Sequence, residues 1–210
     1  MKRISVIMPV YLGGYEGYGS PGASNPSDKF VRAVLSFVHQ SLSGNELIIV
    51  ADGCKKAEAI YEDGFSSNPD IKFKYIEKQQ PFSGKVRQTG IEMSEGEIIC
   101  YLDHDDVFGE DHLKIVSDNF DIERYDWVYY DDYVVQNIEH TQMAKRDNIL
   151  ALGRIGTSSI AHKWDIGVHW GDGYGHDFEL IEKYLLSLKY KKIVTPEYFV
   201  CHIPDGYTDF

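Results

Sequence analysis

Residues 4–10 (Ile-Ser-Val-Ile-Met-Pro-Val) form an almost unbroken apolar run of strand length. A strand that is apolar on both of its faces is buried on both, as in a parallel sheet covered by helices on each side. Similar runs return at residues 46–51, 71–76 and 97–102. Between them, apolar residues fall at helical spacing over 30–38, 55–61 and 84–93, the first behind Pro26-Ser27-Asp28, which serves as an N-cap segment. Repeated strand–helix–strand units predict an α/β fold with a mainly parallel, Rossmann-like sheet flanked by helices. Ligands of such sheets bind beyond the carboxyl ends of the strands. Tyr11, Asp52 and the run Asp103-His104-Asp105-Asp106 all fall at such ends.

The second half is less regular and predicts a smaller, mixed C-terminal part. Residues 126–135, rich in Tyr and Val, read as a strand; 137–154 are polar and carry no clear assignment; 156–162 read as a strand, 177–188 as an amphipathic helix and 198–202 as a short closing strand. A chain of 210 residues suits one domain, here 1–210, with residues 1–106 and 107–210 as its two halves. The segment 12–27, with five glycines and two prolines, is long for a strand–helix loop and reads as either a mobile lid or a surface insertion. Within it, Gly17-Tyr18-Gly19-Ser20-Pro21-Gly22 matches G-x-G-x-x-G in form. A dinucleotide site needs those glycines to join strand directly to helix, and Pro21 removes one of the amides, so no such role is expected.

Charge narrows the choice of partners. Thirty-three acidic against 21 basic residues give a formal net charge of −12, which disfavours nucleic acid. Cys54, Cys100 and Cys201 are widely spaced and odd in number, and read as free thiols of a reducing, cytoplasmic setting. The opening Met1-Lys2-Arg3 and apolar stretch, interrupted by Pro9, read as a first strand rather than a leader. No apolar run approaches the ~18 residues of a transmembrane helix.

Three carboxylates within the four residues 103–106, directly after an apolar strand, form a candidate metal site. In an extended chain Asp103 and Asp105 would project to the same side, roughly 6.6 Å apart. Their mutual repulsion would be relieved by a hard divalent cation, and oxygen ligands favour Mg²⁺, Mn²⁺ or Ca²⁺ over zinc. The plainer alternative is a polar loop with an Asp helix cap. The same segment also fits the D-x-D-x-[TV] pattern of haloacid-dehalogenase-like phosphatases, with Asp103 as nucleophile and Asp105 as acid/base. Against that, three strands precede it, and Asp131-Asp132 comes before Thr157-Ser158-Ser159 and Lys163, the wrong order for the remaining phosphatase elements.

A different resemblance spans nearly the whole chain. Val6-Ile7-Met8-Pro9-Val10-Tyr11, Ser36 to Ser41, and Glu46 through Asp52-Gly53 resemble the opening of family 2 glycosyltransferases of the GT-A fold. Gly84-Lys85-Val86-Arg87-Gln88-Thr89-Gly90 is similar to that family's G-x-x-x-R-N-x-G helix, Asp103-His104-Asp105-Asp106 to its D-x-D-D motif, and Gly175-His176-Asp177 to its late acidic motif. Gln88, His176, Ala51 and the long 12–27 loop depart from the usual pattern.

The resemblance implies a metal-dependent, inverting glycosyltransferase that uses Mn²⁺ or Mg²⁺, with a nucleotide-sugar donor and a glycan, lipid-linked or other hydroxyl acceptor. It implies Asp105 as metal ligand, with His202 turned toward the metal or diphosphate, and Pro9, Tyr11, Asp52, Arg87 and Asp103 around the nucleotide. Tyr11 can stack on a base, and Asp52 can accept an imide N–H, which favours a UDP-sugar. Asp177 matches the family's general base. His176, Trp164 and Trp170 are candidate acceptor contacts, the two tryptophans reading equally as core residues. A domain of this fold that binds carbohydrate without transferring it is the remaining alternative.

Overall fold

A computed structural model describes residues 2–13, 25–79, 82–123, 125–135, 143–171, 173, 175–195 and 197–201, without the side chains of 121–123. The first half alternates as the apolar pattern predicts: β1 (Ile4–Val10), α1 (Pro26–Val38), β2 (Glu46–Asp52), α2 (Lys55–Gly64), β3 (Ile71–Ile76), α3 (Gly84–Glu92) and β4 (Ile98–Tyr101). Asn25 caps α1, its side chain accepting from the Ser27 amide, with Pro26 in the first turn. The chain then adds β5 (Val107–Phe108), α4 (His112–Glu123), β6 (Trp127–Tyr130), β7 (Asp132–Val135), β8 (Met143–Arg146) and β9 (Ile160–Lys163). It closes with α5 (His176–Leu180), a π-turn over Ile181–Leu185, β10 (Tyr190–Ile193) and β11 (Tyr198–Val200).

Seven strands form the main sheet in the order β10-β6-β9-β4-β1-β2-β3. The four strands β4-β1-β2-β3 are mutually parallel, while β9 runs antiparallel to both β4 and β6. A second sheet, β5-β11-β7-β8, packs from the later part of the chain. Both faces of β1 and β2 are covered, because successive side chains point to opposite sides. Val6, Met8, Val10, Leu47 and Ile49 join Phe30, Val34 and Phe37 of α1 in one core, and Ile7, Ile48 and Val50 join Val86 and Ile91 of α3 in the other. Gly90 lets α3 approach, since a Cβ there would stand 2.5 Å from Cγ2 of Ile7.

The structure departs from the pattern in three places. The expected strand 126–135 is two strands in two sheets, parted at Asp131, whose buried carboxylate accepts from the Asn148 amide and pairs with Lys145 and Lys192. Burial alone would raise this carboxyl, but the two lysines and the amide outweigh it and hold it below its ordinary value. Residues 157–159 form a single 3₁₀ turn before β9 begins. Helix α4 and strands β5, β8 and β10 have no counterpart in the sequence reading, being short or, for α4, weakly amphipathic. Residues 14–24 lie outside the described residues, and with them both the Gly17–Gly22 motif and most of the 12–27 loop.

Candidate active site

Adjacent parallel strands bring the residues that follow them to one edge of the sheet. Here the strand order β4-β1-β2-β3 sets Asp103, Tyr11, Asp52 and Lys78 side by side. Pro9, Tyr11, Asp52, Arg87, Asp103, His104 and Asp105 all line one cleft at this edge, together with Ser83 from the start of α3.

At the β2 end, Asp52 is buried and accepts the Gln79 amide at 2.6 Å on one oxygen and the Lys78 ammonium on the other. The ammonium of Lys78 also lies 4.0 Å from the centroid of the Tyr11 ring. Gly53 makes this possible: it sits at φ +66°, and a Cβ there would fall 2.7 Å from Cβ of Lys78. Sequence reading missed Lys78, although it stands just past the end of β3, level with Tyr11 and Asp52 at their own strand ends.

At the β4 end, Arg87 reaches from α3 to Asp103, with Nη2 2.6 Å from Oδ1, and its Nη1 donates to Ser83. Its side chain is only 5% exposed, against 31% for Asp103, so the guanidinium is largely desolvated and requires its partner. Residues 103–106 form a turn and not an extended strand, the Asp106 amide donating to the Asp103 carbonyl at 3.1 Å. The expected same-side spacing of Asp103 and Asp105 is therefore replaced by turn geometry, although both line the cleft. No side chain among the described residues donates to the Asp105 carboxylate. No group of three metal-ligating side chains is present among the described residues. The Asp105 carboxylate, lining the cleft beside Asp103, fits a Mg²⁺- or Mn²⁺-type ion held by one or two carboxylates and completed by substrate phosphates, rather than a closed protein cage. His202 lies outside the described residues.

Behind Arg87 stands Trp170. The guanidinium lies 5.6 Å from its ring centroid, its Nε1 donates to the Tyr101 hydroxyl at 3.1 Å, and its amide donates to the side chain of Gln88. Trp170 is 3% exposed, and its ring is packed against Arg87, Tyr101 and His176. Of its two readings, acceptor contact or core residue, the burial accords with the second, and the indole backs Arg87. The His176 ring packs 5.6 Å from Trp170. Trp170 thus stands between the guanidinium of Arg87 and the His176 ring at the start of α5. The Asp177 carboxylate accepts the Phe178 amide at 2.9 Å.

Trp164, the other tryptophan of the pair, is anchored elsewhere. It is half exposed, but its amide bonds to the carbonyl of Glu97, at the amino end of β4. Six residues of chain separate Glu97 from Asp103, roughly 20 Å along an extended strand. Lys163 pairs with Ile98 at that same end, its ammonium bound to Asp126. The lysine that a phosphatase reading needs is therefore remote from Asp103, whose carboxylate is already held by Arg87.

Residues 5–184 match the sequence model of Glycosyl transferase family 2. The poly(ribitol-phosphate) β-N-acetylglucosaminyltransferase TarP of Staphylococcus aureus is 28% identical over 116 residues, covering 54% of this chain and 32% of TarP. The glycosyltransferase EpsH of Bacillus subtilis, itself assigned provisionally, is 31% identical over 101 residues, 46% of this chain and 29% of EpsH. Among solved structures, S. aureus TarS 1-349 in complex with UDP superposes with a TM-score of 0.74 at 14% identity, covering 94% of this chain and 60% of that one. The mannosyltransferase PcManGT of Pyrobaculum calidifontis, in complex with GDP-Man and Mn²⁺, gives 0.65 at 13% identity, covering 95% and 57%. The chain thus spans about a third of these curated relatives and less than two thirds of the solved ones. Among the described residues no helix is long and apolar enough to cross a membrane. With the family's sequence model matched over residues 5–184 and the GT-A fold shared with solved structures, the chain belongs to Glycosyl transferase family 2.

Proposed function

We propose that this chain moves a sugar from a UDP-sugar to an acceptor hydroxyl, with inversion at the anomeric carbon and with Mn²⁺ or Mg²⁺ bound. The observation that carries the reading is the convergence of Tyr11, Asp52, the Arg87–Asp103 pair and Asp105 on one cleft. Tyr11 offers a ring for the base, and Asp52 has carboxylate lone pairs beyond the two already used, one of which can accept the imide N–H of uracil. A base stacking on the face of Tyr11 that Lys78 covers must displace that ammonium.

Arg87 orients Asp103 toward the ribose and diphosphate, and Asp105 holds the cation, with His202 as a further ligand. When bound, the ion stabilises charge developing on the departing diphosphate as a Lewis acid. Asp177 takes the proton from the acceptor hydroxyl on the face opposite the leaving group. His176 belongs beside the acceptor, and Trp164 and Trp170 do not. Residues 1–106 are assigned to the donor and 107–210 to the acceptor and base. The bound UDP and UDP-GlcNAc of TarS, and the Mn²⁺ of PcManGT, support a nucleotide donor and a divalent ion here. The three unpaired cysteines support a reducing, cytoplasmic setting.

Calorimetry with UDP, with and without Mn²⁺, on the wild type and Asp105→Asn tests the site. The expected result is Mn²⁺-dependent UDP binding that the variant loses while its fold is retained. Unchanged UDP affinity of Asp105→Asn in Mn²⁺ would remove the metal assignment.

A further inference from the structure

Asp106 closes the acidic run at 103–106, yet it is 2% exposed and takes no part in lining the cleft. Both of its oxygens are engaged. Oδ1 accepts the Cys201 amide at 2.7 Å and Oδ2 accepts the Tyr198 hydroxyl at 2.9 Å. The same hydroxyl oxygen accepts the Asp103 amide at 3.3 Å. One phenol therefore joins the first residue of the turn to the last, across the mouth that the Asp106-to-Asp103 backbone bond closes.

The phenol is itself rigidly placed. Tyr198 is fully buried, packs edge-on against Phe108 at 5.6 Å and lies 5.8 Å from His112. It belongs to β11, which pairs with β5 on one side and β7 on the other. From a third direction, Arg32 of α1 donates to the Asp105 carbonyl at 3.2 Å. A turn crowded with carboxylates would otherwise splay before a cation arrives, because its charges repel. Holding the backbone in advance removes that cost from the binding step.

We infer that Tyr198 and Asp106 form a clamp that positions the Asp103–Asp105 turn for its cation, with Asp106 acting as an anchor and not as a ligand. The inference rests on the proposed reading of this turn as a cation site. Tyr198 is a positioning residue, since it reaches the ion only through the backbone of Asp103 and the anchor at Asp106. The C-terminal strand thereby becomes part of the metal site: shifting β11 would loosen the turn even with every carboxylate intact.

The test uses the whole chain with UDP, titrated with Mn²⁺ and followed by calorimetry, alongside uridine binding without metal. Tyr198→Phe removes one oxygen and keeps the ring packing. It is expected to weaken Mn²⁺ binding about tenfold, the scale seen when a group supporting a metal ligand is lost. Metal-free uridine affinity should stay at the wild-type value, because Tyr11 and Asp52 are untouched; a general loosening of the fold would lower both. Asp106→Asn should weaken Mn²⁺ to a similar degree, and the double variant should be no worse than the poorer single one, since both remove the same clamp. Wild-type Mn²⁺ affinity in Tyr198→Phe would overturn the inference. So would complete loss in Asp106→Asn alone, which would make Asp106 a ligand. A wild-type protein that takes up no Mn²⁺ with UDP would instead sink the cation site itself, and the two failures are told apart by that first titration.

Discussion

Lys78 provides the sharpest test of how the base pocket works. Its ammonium lies over Tyr11 and on Asp52 in the free protein, and both contacts must break before a base can stack there. A partly exposed cation–ring contact contributes about 0.5–1 kcal/mol, and an ion pair whose lysine side chain is 41% exposed contributes about 0.5–1 kcal/mol. Lys78→Ala removes both from the free state, so binding no longer has to overcome about 1–2 kcal/mol. At about 1.4 kcal/mol per factor of ten, uridine should bind about 5- to 30-fold more tightly. Asp52 is not orphaned by the change, because the Gln79 amide still donates to it. Uridine is the right ligand, since a displaced Lys78 could reach a phosphate and confuse the result with UDP. The assay is calorimetry at low and high salt. Uridine is neutral, so a salt-dependent gain in the wild type that vanishes in Lys78→Ala would identify the screened ion pair as the barrier. Unchanged or weaker uridine binding by a correctly folded Lys78→Ala protein would refute the reasoning.

Two further outcomes are expected. Asp177→Asn should cut transfer at least ~10²-fold with near-normal UDP binding, and NMR of the product should show inverted configuration; retention, or near wild-type turnover, would remove Asp177 as the base. Stability should fall with acid from two wholly buried histidines, whose burial pushes His112 down to about 3 and His162 to about 4, against an ordinary value near 6.5. Below about pH 6.5 the unfolded chain takes up protons that the folded chain refuses, so by pH 5 each histidine costs about 2 kcal/mol relative to neutral pH. Denaturant unfolding at pH 7.5 and 5.0 measures the sum, and His162→Gln should remove about half of it; equal stability at the two values would contradict the burial of these rings.

Much of this molecule could be read along the chain because the information is local. Apolar runs at 4–10 and 46–51 specify strands buried on both faces, and β1 and β2 form there. Polar residues just past those runs mark strand ends, and Tyr11, Asp52, Asp103 and Asp105 do meet in one cleft. What the sequence could not settle was the long-range pairing. Trp164 and Trp170 are six residues apart, yet the antiparallel entry of β9 beside β4 leaves the first at the amino end of the sheet and the indole of the second buried behind Arg87. Asp103, Asp105 and Asp106 are equivalent in a motif, but only the arrival of β11 from some 95 residues away turns Asp106 into an anchor and leaves Asp105 facing the cleft. Spacing reports which side of its own element a residue takes; which other element comes to meet it depends on strand order and burial, and these exist only in the folded chain.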